Sequence, residues 1–299
     1  MKLLGVPTSA GAFAPGQEQA PAALRAAGVV ERLRETGTEV EDLGDSQSWR
    51  WRPDPVNPRA QNRDAVAAVA RDTATRVEQA LEAGEPLLVL GGDCTVELGT
   101  VGGHVARGER VGLVYFDVHP DLNTPQSVHE GALDWMGVAH MLGIEGADPL
   151  VSSSGRDSPL LEDDQVLLFG WGLDQATSFE REQMEARGLG HVPLEEVASD
   201  PGAAAARVLD GFATSFDRVL IHFDVDTIDF TDAPLSENTG RNEGLPFDAA
   251  MSALAHLASS ERMSALTITE LNPLHGSDDG ATLDRFVRAL AGALRGARE

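Results

Sequence analysis

VGLVYFDVHPDLN, residues 111–123, is the stretch that decides how the rest of the chain is interpreted. It opens with six uncharged and mostly apolar residues, a pattern that predicts a strand buried on both faces of a sheet. Asp117, His119 and Asp121 follow at alternate positions, so their side chains project to one side if the chain stays extended. The segment therefore predicts a buried strand that ends in a group of polar side chains.

Similar apolar runs recur along the whole chain and alternate with segments of helical periodicity. The other strand candidates are residues 2–5, 39–43, 86–90, 165–169, a short run around His191, 218–223 and 264–269. The helical candidates are residues 20–34, 64–83, 95–106, 134–142, 175–187, 203–212, 247–259 and 279–295. Alternating strands and helices predict a parallel sheet with helices on both faces. No composition shift or repeat marks a boundary, so we predict one α/β domain over residues 1–299.

Composition excludes several classes of function. The 299 residues include 23 Lys+Arg and 48 Asp+Glu, and the resulting net charge of −25 excludes a nucleic-acid binder that works through a basic surface. Cys94 is the single cysteine, so an internal disulfide is impossible, and the N-terminal residues lack the apolar run of a signal peptide or membrane span. We expect a cytoplasmic protein with neither nucleic acid nor membrane as a partner.

A second acidic cluster, DVDTID at residues 224–229, follows the strand candidate 218–223. Ligands of open parallel sheets bind outside the carboxyl ends of the strands, where the two clusters can meet. Buried together, these groups would repel one another unless a cation neutralised them, which predicts a divalent metal site. Oxygen donors with an imidazole suit manganese or a similar first-row ion better than sulfur-rich structural zinc. With Asp117 and Asp224 free to bridge, the number of ligands suits two metals.

Two further strand ends carry weaker signals. GGDC at residues 91–94 follows the strand candidate 86–90, although glycine-rich turns also occur for purely conformational reasons. Glu270 in ELNP, residues 270–273, follows the candidate 264–269, where it either holds a cationic substrate group or caps a turn. His222, just before the second acidic cluster, is interpreted as a packed strand position.

Taken in order, GGDC, DVHPD, DVDTID and ELNP resemble the motif set of the arginase family of ureohydrolases. The resemblance implies a three-layer α/β/α domain with an eight-stranded parallel sheet. It also implies two Mn²⁺ ions per subunit and hydrolysis of a linear C–N bond in a guanidino or related amidine compound. Members of the family usually assemble as trimers or hexamers, so a homotrimer or homohexamer is expected.

Carried over residue by residue, the resemblance implies two sets of metal ligands. The first metal would be held by Cys94, Asp117, Asp121 and Asp224, and the second by Asp117, His119, Asp224 and Asp226. A hydroxide that bridges the metals would attack the guanidinium carbon, and Asp121 would orient that hydroxide. Glu270 would pair with the planar guanidinium of the substrate. Asn123 would contact the substrate's α-carboxylate, and Asp174 its amino group.

The sequence departs from the family pattern at three positions. The histidine of GGDH is replaced by Cys94, whose softer thiolate is mismatched to manganese, so the first site is expected to be weak or to hold another divalent ion. The alternative is an inert buried thiol. The serine that faces the substrate carboxylate falls on Glu130, and an acid there would repel that group. The proton-shuttling histidine falls on Asp134, which leaves Asp134 or His129 for the shuttle.

The leading hypothesis is thus metal-dependent hydrolysis of a guanidino compound: arginine, a modified arginine or a related compound. Agmatine, guanidino acids and formiminoglutamate remain open within that class, whereas Glu130 argues against plain L-arginine. The alternative is a metal-depleted, non-catalytic member of the family that serves as a binding or regulatory subunit. Retention of five of the six metal ligands favours the enzyme, because degeneration erodes several ligands together.

Overall fold

One parallel sheet of eight strands runs through the chain in the computed structural model, which describes residues 1–81, 84–156 and 158–296. The strands are β1 Lys2–Gly5, β2 Glu41–Asp45, β3 Leu87–Leu90, β4 Val111–Phe116, β5 Val166–Trp171, β6 Gly190–Pro193, β7 Arg218–Asp224 and β8 Met263–Thr269. Their order across the sheet is β2-β1-β3-β8-β7-β4-β5-β6. The eight predicted strands are confirmed, with small shifts at their ends.

Helices cover both faces of this sheet. In the described part of the chain they are α1 Ala20–Ala26, α2 Val29–Glu35, α3 Arg63–Ala80, α4 Val96–Val105, α5 Gly137–Met141, α6 Pro149–Ser152, α7 Ser178–Arg187, α8 Leu194–Ser199, α9 Pro201–Asp210, α10 Phe247–Ala258 and α11 Ala281–Ala293. The buried residues of α3 to α7 belong to one core, and those of α1, α2 and α8 to α11 belong to the other. The predicted three-layer α/β/α architecture is confirmed.

The alternation of side chains along each strand explains the two cores. Leu87 and Val89 of β3 pack under α3 and α4, whereas Leu88 and Leu90 face the opposite layer. All four are fully or almost fully buried. Both faces of the strand therefore need apolar side chains, which is why the central strands read as unbroken apolar runs.

Several helix predictions needed correction. The helix predicted over residues 20–34 is two helices, because Gly28 adopts a left-handed conformation with φ 82°. The one predicted over residues 134–142 begins as a 3₁₀ turn, Asp134–Met136, and Trp135 has non-helical dihedrals. Residues 82 and 83, the end of the helix predicted over 64–83, lie outside the described residues. None of the described helices has the length and apolarity needed to cross a bilayer.

The sheet order brings the four motifs together. The strands β3, β8, β7 and β4 are consecutive neighbours, and each is followed by one of the four motifs. Because all four run in the same direction, their carboxyl ends lie at one edge, where parallel sheets bind ligands. The single domain predicted over residues 1–299 remains a proposal, supported by the continuity of the sheet.

Candidate metal centre and substrate site

Two aspartates form the floor of the site at the ends of β4 and β7. These strands pair with Phe116 opposite Phe223, so Asp117 and Asp224 are neighbours. One oxygen of each carboxylate fixes the turn after its strand: Asp117 accepts the N–H of His119 at 2.6 Å, and Asp224 that of Asp226 at 2.7 Å. The second oxygen of Asp117 is buried without a hydrogen-bond partner. The backbone thus fixes each carboxylate while an oxygen of Asp117 remains available.

Asp117, His119 and Asp226 form one candidate ligand group, whose donor atoms lie within 4.8 Å of one another. His119 Nδ1 is 3.0 Å from Asp226 Oδ2 and 3.4 Å from Asp117 Oδ1. Burial opposes charging of His119, but the carboxylates of Asp226 and Asp117 outweigh it and raise the pKa of the imidazole. Burial would raise the pKa of Asp226, yet the imidazole lowers it. The other oxygen of Asp226 is buried without a partner.

A second ligand group consists of Cys94, Asp117, His222 and Asp224, again with donor atoms within 4.8 Å of one another. The Cys94 thiol lies 3.0 Å from Asp224 Oδ2 and 3.6 Å from His222 Nε2. Sequence reasoning treated His222 as packing. The available signal was strand alternation, because residues 222 and 224 of β7 point to the same face.

The turn that places Cys94 requires glycine. Gly92 packs against the backbone of Thr8, and a Cβ at this position would lie 1.7 Å from the Thr8 carbonyl oxygen. The carboxylate of Asp93 accepts the N–H groups of Gly11 and Thr95, and α4 begins at Val96. The GGDC motif is therefore a tight turn between β3 and α4 that fixes the Cys94 thiol at the floor of the site.

Asp121 stands beside these groups in a left-handed conformation, with φ 52°. The hydroxyl of Tyr115 donates a hydrogen bond to Asp121 Oδ2. Burial and the nearby carboxylate of Asp117 raise the pKa of Asp121. Asp121 belongs to neither of the two candidate ligand groups, so its role as a ligand of the first metal stays a prediction.

The donor set fits a pair of divalent cations. Burial raises the pKa of Asp117, Asp224 and Cys94 because it disfavours their charged forms, and a bound cation would stabilise those charged forms. The unpartnered oxygens of Asp117 and Asp226 are the atoms that such a cation would satisfy. Asp117 belongs to both ligand groups, and its role as a bridge between two metals remains a prediction. The bridging role of Asp224 remains a prediction.

A cavity of about 260 Å³ opens above this floor. It is lined by Phe13, Cys94, His119, Asp121, Glu130, Ala132, Asp134, Trp135, Asp224, Asp226, Asn238 and Glu270. Six of these are acids, and no lysine or arginine is among these lining residues. Drug-sized ligands occupy pockets of roughly 300–1,000 Å³, so this cavity suits a smaller molecule with positive charge.

Glu270 is held rigidly at the end of β8. Its backbone is left-handed, with φ 59°, and its Oε1 accepts the N–H of Cys94 at 2.9 Å. Its Oε2 accepts from Gln17 Nε2 at 3.0 Å. Burial, and next the charge of Asp134, raise the pKa of Glu270, so an ionised carboxylate here is stabilised by a cationic partner.

The two acids predicted to lie near the substrate, Glu130 and Asp134, differ in burial. Glu130 is exposed at the mouth of the cavity, whereas Asp134 is buried in its wall. Burial, followed by the nearby charge of Asp93, raises the pKa of Asp134 to about 8. His129 is exposed, with its Nδ1 2.8 Å from Arg59, and it is absent from the residues that line the cavity.

Two other predicted substrate residues lie away from the cavity lining. Asn123 is buried, and its Oδ1 accepts from Ser127 Oγ at 3.2 Å and Thr177 Oγ1 at 3.1 Å. Asp174 is exposed in the loop after β5. The structure does not bring Asn123 or Asp174 to the cavity wall. Their roles in substrate binding stay predictions.

Comparison with known proteins agrees with this architecture. The model of the arginase family matches residues 1–294. The arginase of Bacillus caldovelox is 29% identical over 303 residues, covering 99% of this chain and 98% of the relative. Its crystal structure superposes with a TM-score of 0.85 at 28% identity, covering 99% and 97% of the two chains. The formimidoylglutamase of Bacillus subtilis has a TM-score of 0.76 at 18% identity, covering 99% and 86%, and shows the shared fold.

Fold and site together define a hydrolase that acts on C–N bonds of linear amidines. The chain belongs to the arginase family. The resemblance first seen in four short motifs thus extends over almost the entire sequence.

Proposed function

We propose that the protein hydrolyses a C–N bond of a small guanidino compound that carries net positive charge. The charge balance of the cavity supports this substrate class. Two divalent cations would offset four aspartates in the floor, Asp117, Asp121, Asp224 and Asp226. Glu130 and Glu270 would then remain as charged groups that face the ligand, beside Asp134, whose raised pKa favours its neutral form. Two carboxylates without a basic neighbour in the lining favour a cationic substrate over an anionic one.

Glu270 is proposed to bind the guanidinium. Its carboxylate is fixed by the Cys94 N–H and by Gln17, so little orientational freedom is lost when a substrate enters. A carboxylate that accepts from two guanidinium N–H groups forms a planar charge-assisted pair. This pair would aim the guanidinium carbon at the acidic floor.

The residues of the floor are proposed to hold two divalent metals, with manganese at the position of His119 and Asp226, where the donors are oxygen and imidazole nitrogen. When bound, such metals lower the pKa of water enough to supply a nucleophile near neutral pH. Asp121 is proposed to orient that nucleophile, and the hydroxyl of Tyr115 fixes the Asp121 carboxylate.

Asp134 is proposed as the proton donor to the leaving amine. In the metal-free protein its pKa of about 8 keeps a proton on the carboxyl at neutral pH inside the cavity wall. A buried acid with a pKa near the working pH is an effective proton donor. His129 contacts Arg59 at the surface and does not line the cavity, so it is less suited to this role.

Assembly and location are further parts of the proposal. We expect a homotrimer or homohexamer in the cytoplasm, in line with the family resemblance. Size-exclusion chromatography with light scattering on the purified chain measures the subunit number. A monomer at micromolar concentration would contradict the assembly.

A panel of guanidino compounds tests the function. Metal-loaded protein would be incubated with agmatine, L-arginine, an N-hydroxylated arginine, 4-guanidinobutyrate and formiminoglutamate, and the release of urea or the corresponding amide and amine measured. We expect kcat/KM to rise with the net positive charge of the substrate and to fall with added salt. Protein that binds both metals yet releases no product from any compound would support the non-catalytic alternative.

A further inference from the structure

We propose that His222 is a metal ligand, which together with Cys94 makes the first metal position a mixed sulfur, nitrogen and oxygen site that selects zinc over manganese. The inference rests on the proposed metal centre, and its tests read out metal binding rather than turnover.

The distances between the donor atoms match a metal site. Zn–S bonds are about 2.3 Å and Zn–N bonds about 2.0 Å, so neighbouring donors around one ion are separated by roughly 3.1–3.5 Å. Cys94 Sγ lies 3.6 Å from His222 Nε2 and 3.0 Å from Asp224 Oδ2. Asp117, which has one buried oxygen without a hydrogen-bond partner, belongs to the same group. Four donors of three chemical kinds therefore lie within 4.8 Å of one another, close enough to bind one ion.

Behind the imidazole lies an acid in the position that a metal-bound histidine requires. Glu97 on α4 has its Oε2 3.4 Å from His222 Nδ1, and both residues are completely buried. A ligating histidine normally donates its other ring N–H to a carboxylate, which fixes the ring and raises its basicity. The second oxygen of Glu97 has no hydrogen-bond partner, and the contact of its carboxylate with His222 is the one that the described side-chain contacts show.

The ring of His222 is held in place without strong hydrogen bonds of its own. It stacks on Tyr115 with the ring centroids 4.0 Å apart and the planes 3° from parallel. The hydroxyl of Thr269 lies 3.2 Å from His222 Nε2 and 3.5 Å from Cys94 Sγ, against both donor atoms. A hydroxyl can rotate its hydrogen away, so it leaves both atoms able to bind a cation.

Other buried histidines of the described chain are satisfied differently. His104 is bonded to Thr100 O at 2.9 Å and Ser264 Oγ at 3.0 Å. His140 contacts Met136 O at 2.6 Å and accepts the N–H of Asp148 at 3.1 Å. The polar contacts of His222 are longer, from 3.2 to 3.6 Å. Among His104, His140 and His222, it is His222 whose nitrogen faces other candidate metal ligands.

The donor set determines which metal is preferred. Thiolate and imidazole suit zinc or cobalt, whereas carboxylates with one imidazole suit manganese. The first position has a thiolate, an imidazole and carboxylates, and the second has Asp117, His119 and Asp226. The two positions are therefore chemically unlike, and the preference for zinc over manganese is greater at the first position than at the second.

The test starts from the full-length protein stripped of metal by a chelator. Zn²⁺, Mn²⁺ and Co²⁺ are then titrated separately into the wild type, His222→Gln, Glu97→Gln and Cys94→Ser, with His104→Gln as the matched control at another buried histidine. Binding is followed by calorimetry, and Co²⁺ is also followed by the absorption of thiolate-to-cobalt charge transfer. Circular dichroism verifies that each variant is folded.

We expect the ratio of zinc affinity to manganese affinity for the first ion to be at least tenfold higher in the wild type than in Cys94→Ser. His222→Gln should weaken that zinc affinity by at least tenfold, and Glu97→Gln by about 10- to 100-fold, as for other residues that orient a ligating histidine. The thiolate band should appear in the wild type and vanish in Cys94→Ser. Equal zinc affinity in His222→Gln and His104→Gln, or no thiolate band in the wild type, would overturn the assignment.

X-ray absorption on the wild type covers the case in which His222→Gln does not fold. With one equivalent of zinc, the spectrum should require one sulfur and one imidazole around the ion. A fit with sulfur but without imidazole would exclude His222. These results stand whether or not any guanidino compound is hydrolysed, so the metal assignment and the proposed function fail separately.

Discussion

The backbone N–H of Cys94 donates a 2.9 Å hydrogen bond to Oε1 of Glu270. The thiol of Cys94 thus faces the candidate metal ligands, while its backbone N–H binds the carboxylate of Glu270, which is expected to hold the substrate. Changes to the Cys94 side chain leave this N–H in place. Metal effects and substrate effects can therefore be separated by mutation, although the two groups are in contact.

Cys94→His is expected to increase manganese binding at the first position. Imidazole is a better match for manganese than thiolate, and the backbone that places the side chain is unchanged. Metal analysis after dialysis against Mn²⁺ should show more ions per chain in the variant than in the wild type. Metal content equal to that of the wild type would show that residue 94 is not a ligand.

Glu270→Gln is expected to lower kcat/KM by roughly 10- to 100-fold, because a hydrogen bond to a charged group contributes about 1.5–3 kcal/mol. Zinc and manganese affinity should change much less, since Glu270 is not in either ligand group. Glu237→Gln is the control, because Glu237 is also buried but bonds Asn272 instead of lining the cavity. Similar losses in both variants would argue for a general loss of packing.

Asp134→Asn is expected to change how stability depends on pH in the metal-free protein. The pKa of Asp134 is raised to about 8, above the value of about 3.9 in an unfolded chain. The folded state retains the proton between these values, so the free energy of unfolding of the wild type falls as pH rises from about 4 to 8. Asparagine has no charge to desolvate, which removes this part of the decline.

The measurement is the melting temperature in chelator at pH 5 and pH 8.5. The melting temperature of Asp134→Asn minus that of the wild type should be at least about 2 °C larger at pH 8.5 than at pH 5. This estimate uses a Tm shift of about 2–4 °C per 1 kcal/mol in proteins of 150–250 residues. Asp64→Asn, at an exposed site, provides the comparison. A difference in melting temperature that is the same at both pH values would contradict the prediction that burial raises the pKa of Asp134.

Glu130→Gln is expected to improve hydrolysis of guanidino compounds that carry a carboxylate. Glu130 lines the mouth of the cavity and is exposed, so its repulsion is screened and the gain should be a few-fold. The readout is the ratio of kcat/KM for 4-guanidinobutyrate to that for agmatine. Glu145→Gln, at an exposed acid outside the cavity lining, should leave the ratio unchanged.

The sequence was sufficient to predict the sheet and the acids at its edge. Apolar runs followed by Asp117 and Asp224 predict polar groups at the ends of parallel strands, and those ends necessarily share one edge. The order of strands was not readable from periodicity. Only the structure places β8 between β3 and β7, and that order brings Glu270 against Cys94.

The proximity of His222 to Cys94 and Glu97 could not be predicted from the sequence, because it depends on how a helix packs on the sheet. Strand alternation puts its side chain beside Asp224, but a histidine within an apolar run also fits ordinary packing. Glu97 is three residues after Cys94 at the start of α4, and no local pattern connects it to residue 222. Their contact spans 125 residues and depends on how α4 docks onto the sheet.

The contacts that build the site join distant parts of the chain: Cys94 is 130 residues from Asp224 and 176 from Glu270. During synthesis from the N-terminus, β3, β4 and β7 emerge before β8, which must insert between β3 and β7. Such long-range pairing forms late in folding. Because β8 lies between β3 and β7, nascent or truncated chains that lack β8 should not hold Cys94 beside Asp224, and their first metal position should be lost.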